Sequence, residues 1–411
     1  MTGRAGTLAI ETGLPAARPS QARALNGGEA VAYALRQIEP EVVAAYPITP
    51  QTFIIERFSE YVANGQVRSE YVNVESEHAA MSACIGASAA GGRAATATSG
   101  PGLALMFETL YVASGMRLPV VLHLCSRALS APLNILCDHS DAMAMREASW
   151  PMLFGANPQE AYDHALMAPL IAEHPDVMLP VATVIDGFTV THSVERVDVL
   201  EDEDATEFVG EYEPETWALK PGATETFGDL DADDYYFEHK RQQIDAMEHV
   251  SAVAAEMFGR FASLSGRKYG VVESYQLADA EIALVILGST EGVVRAAIDD
   301  ARAAGIKVGL LRVRLYRPFP VDAVRTALAG KRMVGVFDRA LAFGAPGNAL
   351  FQDVALSTRT GADQPPIIDF VYGLGGRATP KKLVREAIHC LAGRSGGDAE
   401  LSSPIYLGLR Q

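Results

Sequence analysis

The sequence predicts an α/β protein built from two parallel-sheet domains. Short apolar strands alternate with helices over residues 25–195, and a second alternation of the same kind occupies residues 246–395. Such alternation requires right-handed crossover connections and gives a sheet that is covered on both faces. Acidic, glycine-rich and basic segments directly follow strands of the first domain. Ligands bind at the carboxyl edge of such sheets, so we expect the functional site there.

Three segments lie outside the two predicted domains. Residues 1–24 form an N-terminal arm without periodicity, and residues 396–411 form a C-terminal tail. Residues 196–245 carry two dense runs of aspartate and glutamate, and we interpret them as an acidic linker. Acidic runs usually form a solvated surface, but the aromatic residues of this linker indicate that it packs on the protein.

The composition limits the partners and the compartment. Apolar residues make up 49% of the 411 residues, and the net charge of −17 argues against a nucleic-acid or anionic-membrane surface. No apolar run approaches the about 18 residues that a membrane span needs. The four cysteines (Cys84, Cys125, Cys137 and Cys390) have no zinc or iron–sulfur spacing. We therefore predict no metal site in this chain and a reducing, cytoplasmic compartment.

Two carboxylates follow the predicted strand Tyr71–Val74. Glu75 and Glu77 fall in the first turn of a helix that Ser76 can cap, where the helix dipole favours acids, so an ordinary helix-start role is one interpretation. The helix itself is almost entirely alanine, serine and glycine, which permits close backbone approach and predicts burial of Glu77. A buried carboxylate needs a specific partner, and both interpretations stay open.

Two further segments place polar groups at strand ends. The strand Val42–Ala45 precedes Tyr-Pro-Ile-Thr-Pro, whose prolines exclude helix at Ile48 and Thr49 and hold the Thr49 hydroxyl near the strand. Arg127 follows the strand Val120–Cys125. This arginine either forms an ordinary surface ion pair or binds a small carboxylate in a bidentate manner.

A glycine-rich turn follows the predicted strand Ala94–Thr98. Its sequence, Ser-Gly-Pro-Gly at 99–102, gives either an ordinary tight turn or a cradle whose backbone amides bind a phosphate. The histidines near these segments, His78, His123 and His139, are interpreted as locally hydrogen-bonded residues rather than metal ligands.

Seven short motifs occur in a fixed order along the chain. They are YPITP (46–50), ESEH (75–78), TSGPG (98–102), SRAL (126–129), DHSD (138–141), DGF (186–188) and YGLGGR (372–377). Each is weak alone, but the ordered set resembles the α subunit of the 2-oxoacid:ferredoxin oxidoreductases. Within that family it is most similar to the pyruvate synthase group, which includes phenylglyoxylate dehydrogenase-like members. The resemblance covers residues 24 to 395.

The resemblance implies a fold and a set of site residues. The implied fold is the pyrimidine-binding domain of thiamine diphosphate enzymes, followed by a transketolase C-terminal-like α/β domain. By the resemblance, Glu77 faces N1′ of the aminopyrimidine, where an acid promotes the proton transfers that activate the cofactor. Arg127 binds the substrate carboxylate, and Thr49 contacts the substrate. The other implied cofactor-binding residues are Pro47, Ile48, Ser99 and Gly100.

The resemblance also implies a reaction and partner subunits. The reaction is oxidative decarboxylation of a 2-oxoacid with CoA to acyl-CoA and CO₂. The chain lacks the Gly-Asp-Gly and Asn-Asn pattern that holds Mg²⁺ and the diphosphate, so a β subunit is expected to supply that site. A γ subunit and a ferredoxin-like subunit with [4Fe–4S] clusters are expected as well. Electrons would pass to ferredoxin, or to NAD through an added flavin subunit.

The sequence leaves alternatives open for both the substrate and the class of reaction. Pyruvate is the first choice, but departures from the family pattern at 99–102, Leu124–Cys125 and Cys137 also suit a larger 2-oxoacid such as phenylglyoxylate, with benzoyl-CoA as product. A rival enzyme class would pass carbon to lipoamide or a sugar. A non-catalytic scaffold subunit is the alternative from another class, and the joint presence of the three predicted catalytic residues argues against it.

Overall fold

The computed structural model describes residues 18, 20–218, 220–222, 226–359, 364–394 and 404–410. Within them the strands are β1 Ser20–Leu25, β2 Val42–Ala45, β3 Glu70–Asn73, β4 Ala94–Thr98, β5 Val121–Ser126, β6 Met152–Gly155, β7 Val181–Asp186, β8 Glu195–Leu200, β9 Val272–Tyr275, β10 Ile282–Ile286, β11 Val308–Val313, β12 Leu315–Arg317, β13 Met333–Asp338, β14 Ile367–Val371 and β15 Ile405–Tyr406. The helices are α1 Gly27–Ile38, α2 Thr52–Ala63, α3 Glu77–Ala89, α4 Pro101–Leu105, α5 Phe107–Gly115, α6 Ser140–Ala144, α7 Pro158–Ala172, α8 Asp202–Val209, α9 Tyr236–Ser265, α10 Glu291–Ala303, α11 Val321–Leu328, α12 Ala349–Thr358 and α13 Lys381–Ala392.

Seven of the described strands form the first sheet, in the order β12-β6-β7-β5-β4-β2-β3. Strands β2 to β7 pair in parallel, and β12, which comes from the second half of the chain, is antiparallel to β6. The central strands β4, β5 and β7 are buried along their whole length, as strands covered on both faces must be. The segments after β2, β4, β5 and β7 therefore meet at one edge.

The two faces of this sheet are covered by different parts of the chain. One face packs against α1, α7 and α9, through residues such as Val31, Leu166 and Phe258. The other face packs against α3, α5 and the second domain, so that Leu122 of β5 and Val285 of β10 belong to one hydrophobic core. The two domains consequently pack against each other through a shared hydrophobic core.

Six described strands form the second sheet, in the order β15-β14-β13-β10-β11-β9. Neighbouring strands pair in parallel, except that β9 is antiparallel to β11. Strand β15 lies in the predicted C-terminal tail, so residues 405–406 extend the sheet. None of the helices in the described ranges is both long and apolar enough to cross a membrane.

The segment predicted as an acidic linker, residues 196–245, contains regular structure. It contains most of β8, all of α8 and the first turns of α9. Strand β8 pairs antiparallel with β1, whose residues 20–24 belong to the predicted N-terminal arm. The alternating sequence of β8 buries Val197 and Val199 completely, and this alternation was obscured by the neighbouring charges. Residues 1–17 of the predicted arm lie outside the described residues.

Candidate active site

Glu77 is buried at the start of α3. Ser76 caps this helix as predicted, and its side chain accepts a hydrogen bond from Ala79 N at 3.2 Å. Glu77 is only 5% exposed, whereas Glu75, two residues earlier, is an exposed residue. No donor or cation from the described part of the chain pairs with the Glu77 carboxylate. Because an unpaired buried carboxylate is costly, the position favours a partner from outside these residues.

The glycine-rich turn after β4 makes room for this carboxylate. A Cβ atom at Gly102 would lie 2.5 Å from Glu77 Oε1 and 2.5 Å from Thr98 Oγ1, so a larger residue would displace both groups. Thr98 Oγ1 is itself buried and has no hydrogen-bond partner among the described residues. The turn therefore brings an unpaired carboxylate and an unpaired hydroxyl together against one glycine.

Arg127 lies at the end of β5 and is only 4% exposed. Its Nη1 donates a hydrogen bond to Thr49 O at 2.6 Å, and its Nε is buried without a partner in the described ranges. Its guanidinium forms no ion pair with any carboxylate that the structure describes. Burial lowers the pKa of Arg127, and the nearby Asp141 carboxylate partly opposes this effect. Arg127 is thus a buried cation whose pairing is incomplete, like that of Glu77.

The loop between β2 and α2 brings Thr49 to Arg127. Pro47 and Thr49 are exposed at this edge, and Ile48 is half-buried. Thr49 contacts Arg127 through its backbone carbonyl, whereas the sequence drew attention to its hydroxyl. The predicted catalytic residues Thr49 and Arg127 are therefore adjacent, and the predicted cofactor-binding residues Pro47 and Ile48 lie in the same loop.

Gln51 fixes the position of this loop, and the sequence did not predict its role. Its side chain is fully buried, and its Nε2 donates to Tyr46 O at 3.0 Å and to Ala97 O at 2.9 Å. These two bonds tie the loop after β2 to strand β4. A glutamine beside a helix N-terminus carries no local signal of this kind, because the acceptor that anchors the loop, Ala97 O, is a backbone group of another strand.

The turn at Ser99 and Gly100 is engaged within the protein. Ser99 Oγ donates to Cys125 O at 2.6 Å, and Gly100 N donates to Asp141 Oδ2 at 2.8 Å. A Cβ atom at Gly100 would lie 2.7 Å from Arg127 Cγ, and the φ of +47° at this residue also favours glycine. Because the Gly100 amide and the Ser99 hydroxyl are occupied, the contacts favour the ordinary tight turn over the phosphate cradle.

His139 joins this edge to the second domain. Its Nε2 is hydrogen-bonded to Asp186 Oδ1 at 2.8 Å, and Asp186 also accepts bonds from Arg339 Nη1 at 2.8 Å and Ser289 Oγ at 2.6 Å. Burial alone would raise the pKa of Asp186, but His139 and Arg339 lower it below its usual range. The local hydrogen-bonding role predicted for His139 is observed, and His123 is likewise hydrogen-bonded within its sheet.

Outside the turn at 99–102, the side chains that depart from the family pattern do not line the exposed edge. Leu124, Cys125 and Cys137 are at most 1% exposed and pack in the interior. Burial raises the pKa of the Cys137 thiol well above its usual range. These three residues can therefore affect substrate choice only through the packing behind the site.

Comparisons with known proteins identify two family regions. The model for the thiamine-diphosphate-binding domain of pyruvate flavodoxin/ferredoxin oxidoreductases matches residues 33–259, and that for pyruvate:ferredoxin oxidoreductase core domain II matches residues 280–384. The pyruvate synthase subunit PorA of Thermotoga maritima is 49% identical over 94% of this chain and 98% of its own. The α subunit of the NADH-dependent phenylglyoxylate dehydrogenase of Aromatoleum evansii is 34% identical over 98% of this chain and 99% of its own.

A solved structure shows the same architecture. The 2-oxoglutarate:ferredoxin oxidoreductase of Magnetococcus marinus aligns with a TM-score of 0.71 at 20% identity, over 90% of this chain and 65% of that one. The predicted fold class, a pyrimidine-type parallel-sheet domain followed by a transketolase C-terminal-like α/β domain, is thereby confirmed. The chain therefore belongs to the 2-oxoacid:ferredoxin oxidoreductases, as an oxidoreductase subunit with a thiamine-diphosphate-binding domain.

Proposed function

We propose that this chain forms one half of the active site of a thiamine-diphosphate-dependent enzyme that oxidatively decarboxylates pyruvate with CoA. One observation carries the proposal: Glu77 and Arg127 are both buried at the same sheet edge without an oppositely charged partner in the described chain. The two side chains lie against Gly102 and Gly100 of a single turn. A cofactor ring and a substrate carboxylate are the two groups that would complete them.

The residues around Glu77 fit the aminopyrimidine half of the cofactor. The missing side chain at Gly102 leaves room for the carboxylate, and Thr98 offers an unpaired hydroxyl there. When bound, thiamine diphosphate supplies an electron sink for the decarboxylation. The role of Glu77 is to hold a proton at N1′ of the pyrimidine, and correctly placed acid–base groups contribute about 10²–10⁴ in rate.

Arg127 is suited to orient the 2-oxoacid. Thr49 O occupies Nη1, which fixes the plane of the guanidinium and leaves other N–H groups for a carboxylate. Hydrogen bonds to a charged group contribute about 1.5–3 kcal/mol each, and a bidentate pair also fixes direction. Since water is largely excluded around a residue that is 4% exposed, the pairing is stronger than it would be at the surface.

The proposal includes partner subunits. The β subunit would supply Mg²⁺ and the diphosphate site, and a ferredoxin-like subunit with [4Fe–4S] clusters would accept the electrons, together with a γ subunit. Helices α4 and α5 adjoin Gly100 and expose four large apolar side chains: Leu105, Phe107, Tyr111 and Val112. Such a patch beside an incomplete site is a suitable contact surface for the β subunit. The cytoplasmic location stays a prediction.

An aromatic 2-oxoacid is the second candidate substrate, with NAD as the final acceptor. A pocket of about 190 Å³ lies beside Gly100 and is lined by Leu103, Phe107 and Leu129 among others. Its walls are mostly apolar, with Asp141 as the one charged lining residue that the structure describes, and suit an aryl group, as in phenylglyoxylate. The purified complex, assayed with CoA and a viologen dye, should reduce the dye faster with pyruvate than with phenylglyoxylate. The reverse order would select the second candidate.

The role of Glu77 is tested by Glu77→Gln in the co-expressed complex. We expect the subunits to co-purify as in the parent, while dye reduction falls by about 10³-fold or more because the amide cannot exchange a proton with N1′. Glu75→Gln is a matched control, since Glu75 is exposed and only two residues away. Thiamine diphosphate affinity, measured by calorimetry, should fall in the first variant only. Full activity of Glu77→Gln would refute the assignment.

A further inference from the structure

Asp141 is a buried carboxylate that the proposed chemistry does not use. It lies in the first turn of the short helix α6, it is 0% exposed, and no cation of the described chain forms an ion pair with it. Its neighbours on the sheet edge are the turn that carries Gly100 and the strand end that carries Arg127. A buried acid without a cation needs hydrogen-bond donors, and here the donors identify its role.

The donors come from the two segments that form the candidate site. Oδ2 accepts the backbone N–H of Gly100 at 2.8 Å and that of Arg127 at 2.9 Å. Oδ1 lies 2.5 Å from Ser126 Oγ and 2.7 Å from Ala142 N. One oxygen atom therefore ties the turn after β4 to the end of β5, and the other oxygen holds that end to α6.

The same bonds determine where the Arg127 side chain lies. Its stem rests on Gly100, where a Cβ atom would be 2.7 Å from Cγ and 2.9 Å from Nε of Arg127. The Arg127 guanidinium donates to Thr49 O and not to Asp141, so Asp141 acts on the backbone and leaves the charge free. Burial raises the pKa of Asp141 to about 6, although the bonds from Ser126, Arg127 and Gly100 oppose this rise.

We propose that Asp141 is a positioning residue that holds the backbones of Gly100 and Arg127 so that the guanidinium faces the carboxylate of the 2-oxoacid. The inference rests on the proposed function, because it assigns Asp141 no contact with substrate and acts through Arg127. It also explains why this edge needs an acid at residue 141: both carboxylate oxygens act as acceptors, Oδ2 for Gly100 N and Arg127 N and Oδ1 for Ser126 Oγ and Ala142 N.

The first test compares Asp141→Asn and Asp141→Ala in the co-expressed complex. An amide keeps one oxygen for Gly100 and Arg127, but it must turn its NH₂ group towards Ser126 and the Ala142 N–H. We expect the KM for pyruvate to rise about tenfold in the asparagine variant and further in the alanine variant, with a kcat change below about threefold, as expected when ground-state and transition-state binding weaken together. A KM within twofold of the parent in the asparagine variant would overturn the inference.

Asp338→Asn is a matched control for loss of a buried carboxylate. Asp338 is 3% exposed and accepts backbone N–H bonds from Leu350 and Phe351, both at 2.9 Å, but it belongs to the second domain. We expect this control to lower the melting temperature and leave the KM for pyruvate unchanged. An equal rise in KM in Asp338→Asn would mean that any buried aspartate has this effect, which overturns the inference.

A double-mutant cycle separates the inference from the proposed function. If Asp141 acts only through Arg127, then Asp141→Asn should not raise the KM further when Arg127→Ala is already present. If instead the KM increases of the two single variants multiply in the double variant, the role of Asp141 is overturned and the role of Arg127 is not. If Arg127→Ala by itself leaves the KM unchanged, the proposed substrate site fails, whatever Asp141→Asn does. Should Asp141→Ala fail to assemble, the asparagine variant and the cycle still decide.

Discussion

Two of the regions that contain buried charges differ in how those charges are paired. Between the domains, Arg312 Nη1 and Nη2 contact the two carboxylate oxygens of Glu160, each at 2.6 Å, and Glu273 contacts Arg312 and Arg314. Each charge of this interdomain cluster is balanced by the chain itself. At the candidate active site, Glu77 and Arg127 have no such balance among the described residues.

The difference distinguishes charges that hold the fold from charges that bind something. The interdomain cluster links α7 of the first domain to β11 of the second, and both arginines are 1% exposed. Buried pairs of this kind add little net stability. Removing one partner is nevertheless strongly destabilising, because the other charge stays buried without compensation for its desolvation. Glu77 and Arg127 should behave differently. Because neither has a charged partner in the described chain, removing either one should cost little stability and should reduce catalysis instead.

The largest expected effect on stability follows from Arg312→Met. It leaves Glu160 and Glu273 with fewer cations in the interior, so we expect a loss of about 3–5 kcal/mol in unfolding free energy, measured by denaturant titration. Arg241→Met is the control, because Arg241 pairs with Asp245 and Glu248 and all three side chains are exposed. An Arg312→Met protein as stable as the parent would break the comparison between the two regions.

Arg127→Ala is expected to give a smaller free-energy change, and one that appears in catalysis. Losing the bonds to a substrate carboxylate should raise the KM for pyruvate about 100-fold and lower turnover, which corresponds to about 2.7 kcal/mol. The unfolding free energy should change by less than about 1 kcal/mol, since no ion pair is broken. Steady-state kinetics and denaturant titration of the same samples provide the two numbers. A large stability loss with unchanged kinetics would place Arg127 with the structural charges.

The sequence predicted the strands that carry the site better than the contacts that position it. The bounds predicted for Val42–Ala45 and Ala94–Thr98 are those observed, because short apolar runs that end near a proline or a glycine have clear limits. The roles of Gln51 and Asp141 were not predictable in this way. Each depends on backbone groups that are distant in sequence and meet only when the sheet is assembled.

The interdomain and linker regions were predicted less well, for related reasons. Strand β12 joins the first sheet from the second half of the chain, and no local pattern identifies that pairing. Strand β8 alternates in hydrophobicity, but the acids beside it favoured a solvated linker. Helix α9 begins at Tyr236, inside the segment interpreted as an acidic linker, because the charged residues of its first turns hide the helical periodicity.

A pH experiment sharpens the description of the interdomain cluster. Burial would raise the pKa of Glu273, but Arg312 and Arg314 outweigh it and lower this pKa from 4.5 to about 2. A lowered pKa means that the ionised form stabilises the fold above about pH 4.5 and that this contribution is lost as the pH falls towards 2. The melting temperature of the parent should therefore exceed that of Glu273→Gln at pH 6, and the gap should narrow on acidification. If the difference in melting temperature widens as the pH falls, the pKa of Glu273 is not lowered in the folded protein.

The smallest expected change in unfolding free energy comes from breaking an ion pair at the surface. Asp202 of α8 pairs with Arg36 of α1, and the Asp202 side chain is 57% exposed. Water screens such a pair, so Asp202→Asn should reduce the unfolding free energy by less than about 1 kcal/mol. High salt should remove most of the difference between parent and variant, because screening weakens exposed pairs first. A loss of unfolding free energy as large as that of Arg312→Met would instead mean that the packing of α8 on α1 stabilises the first domain. The segment predicted as an acidic linker would then contribute to stability as the interdomain cluster does.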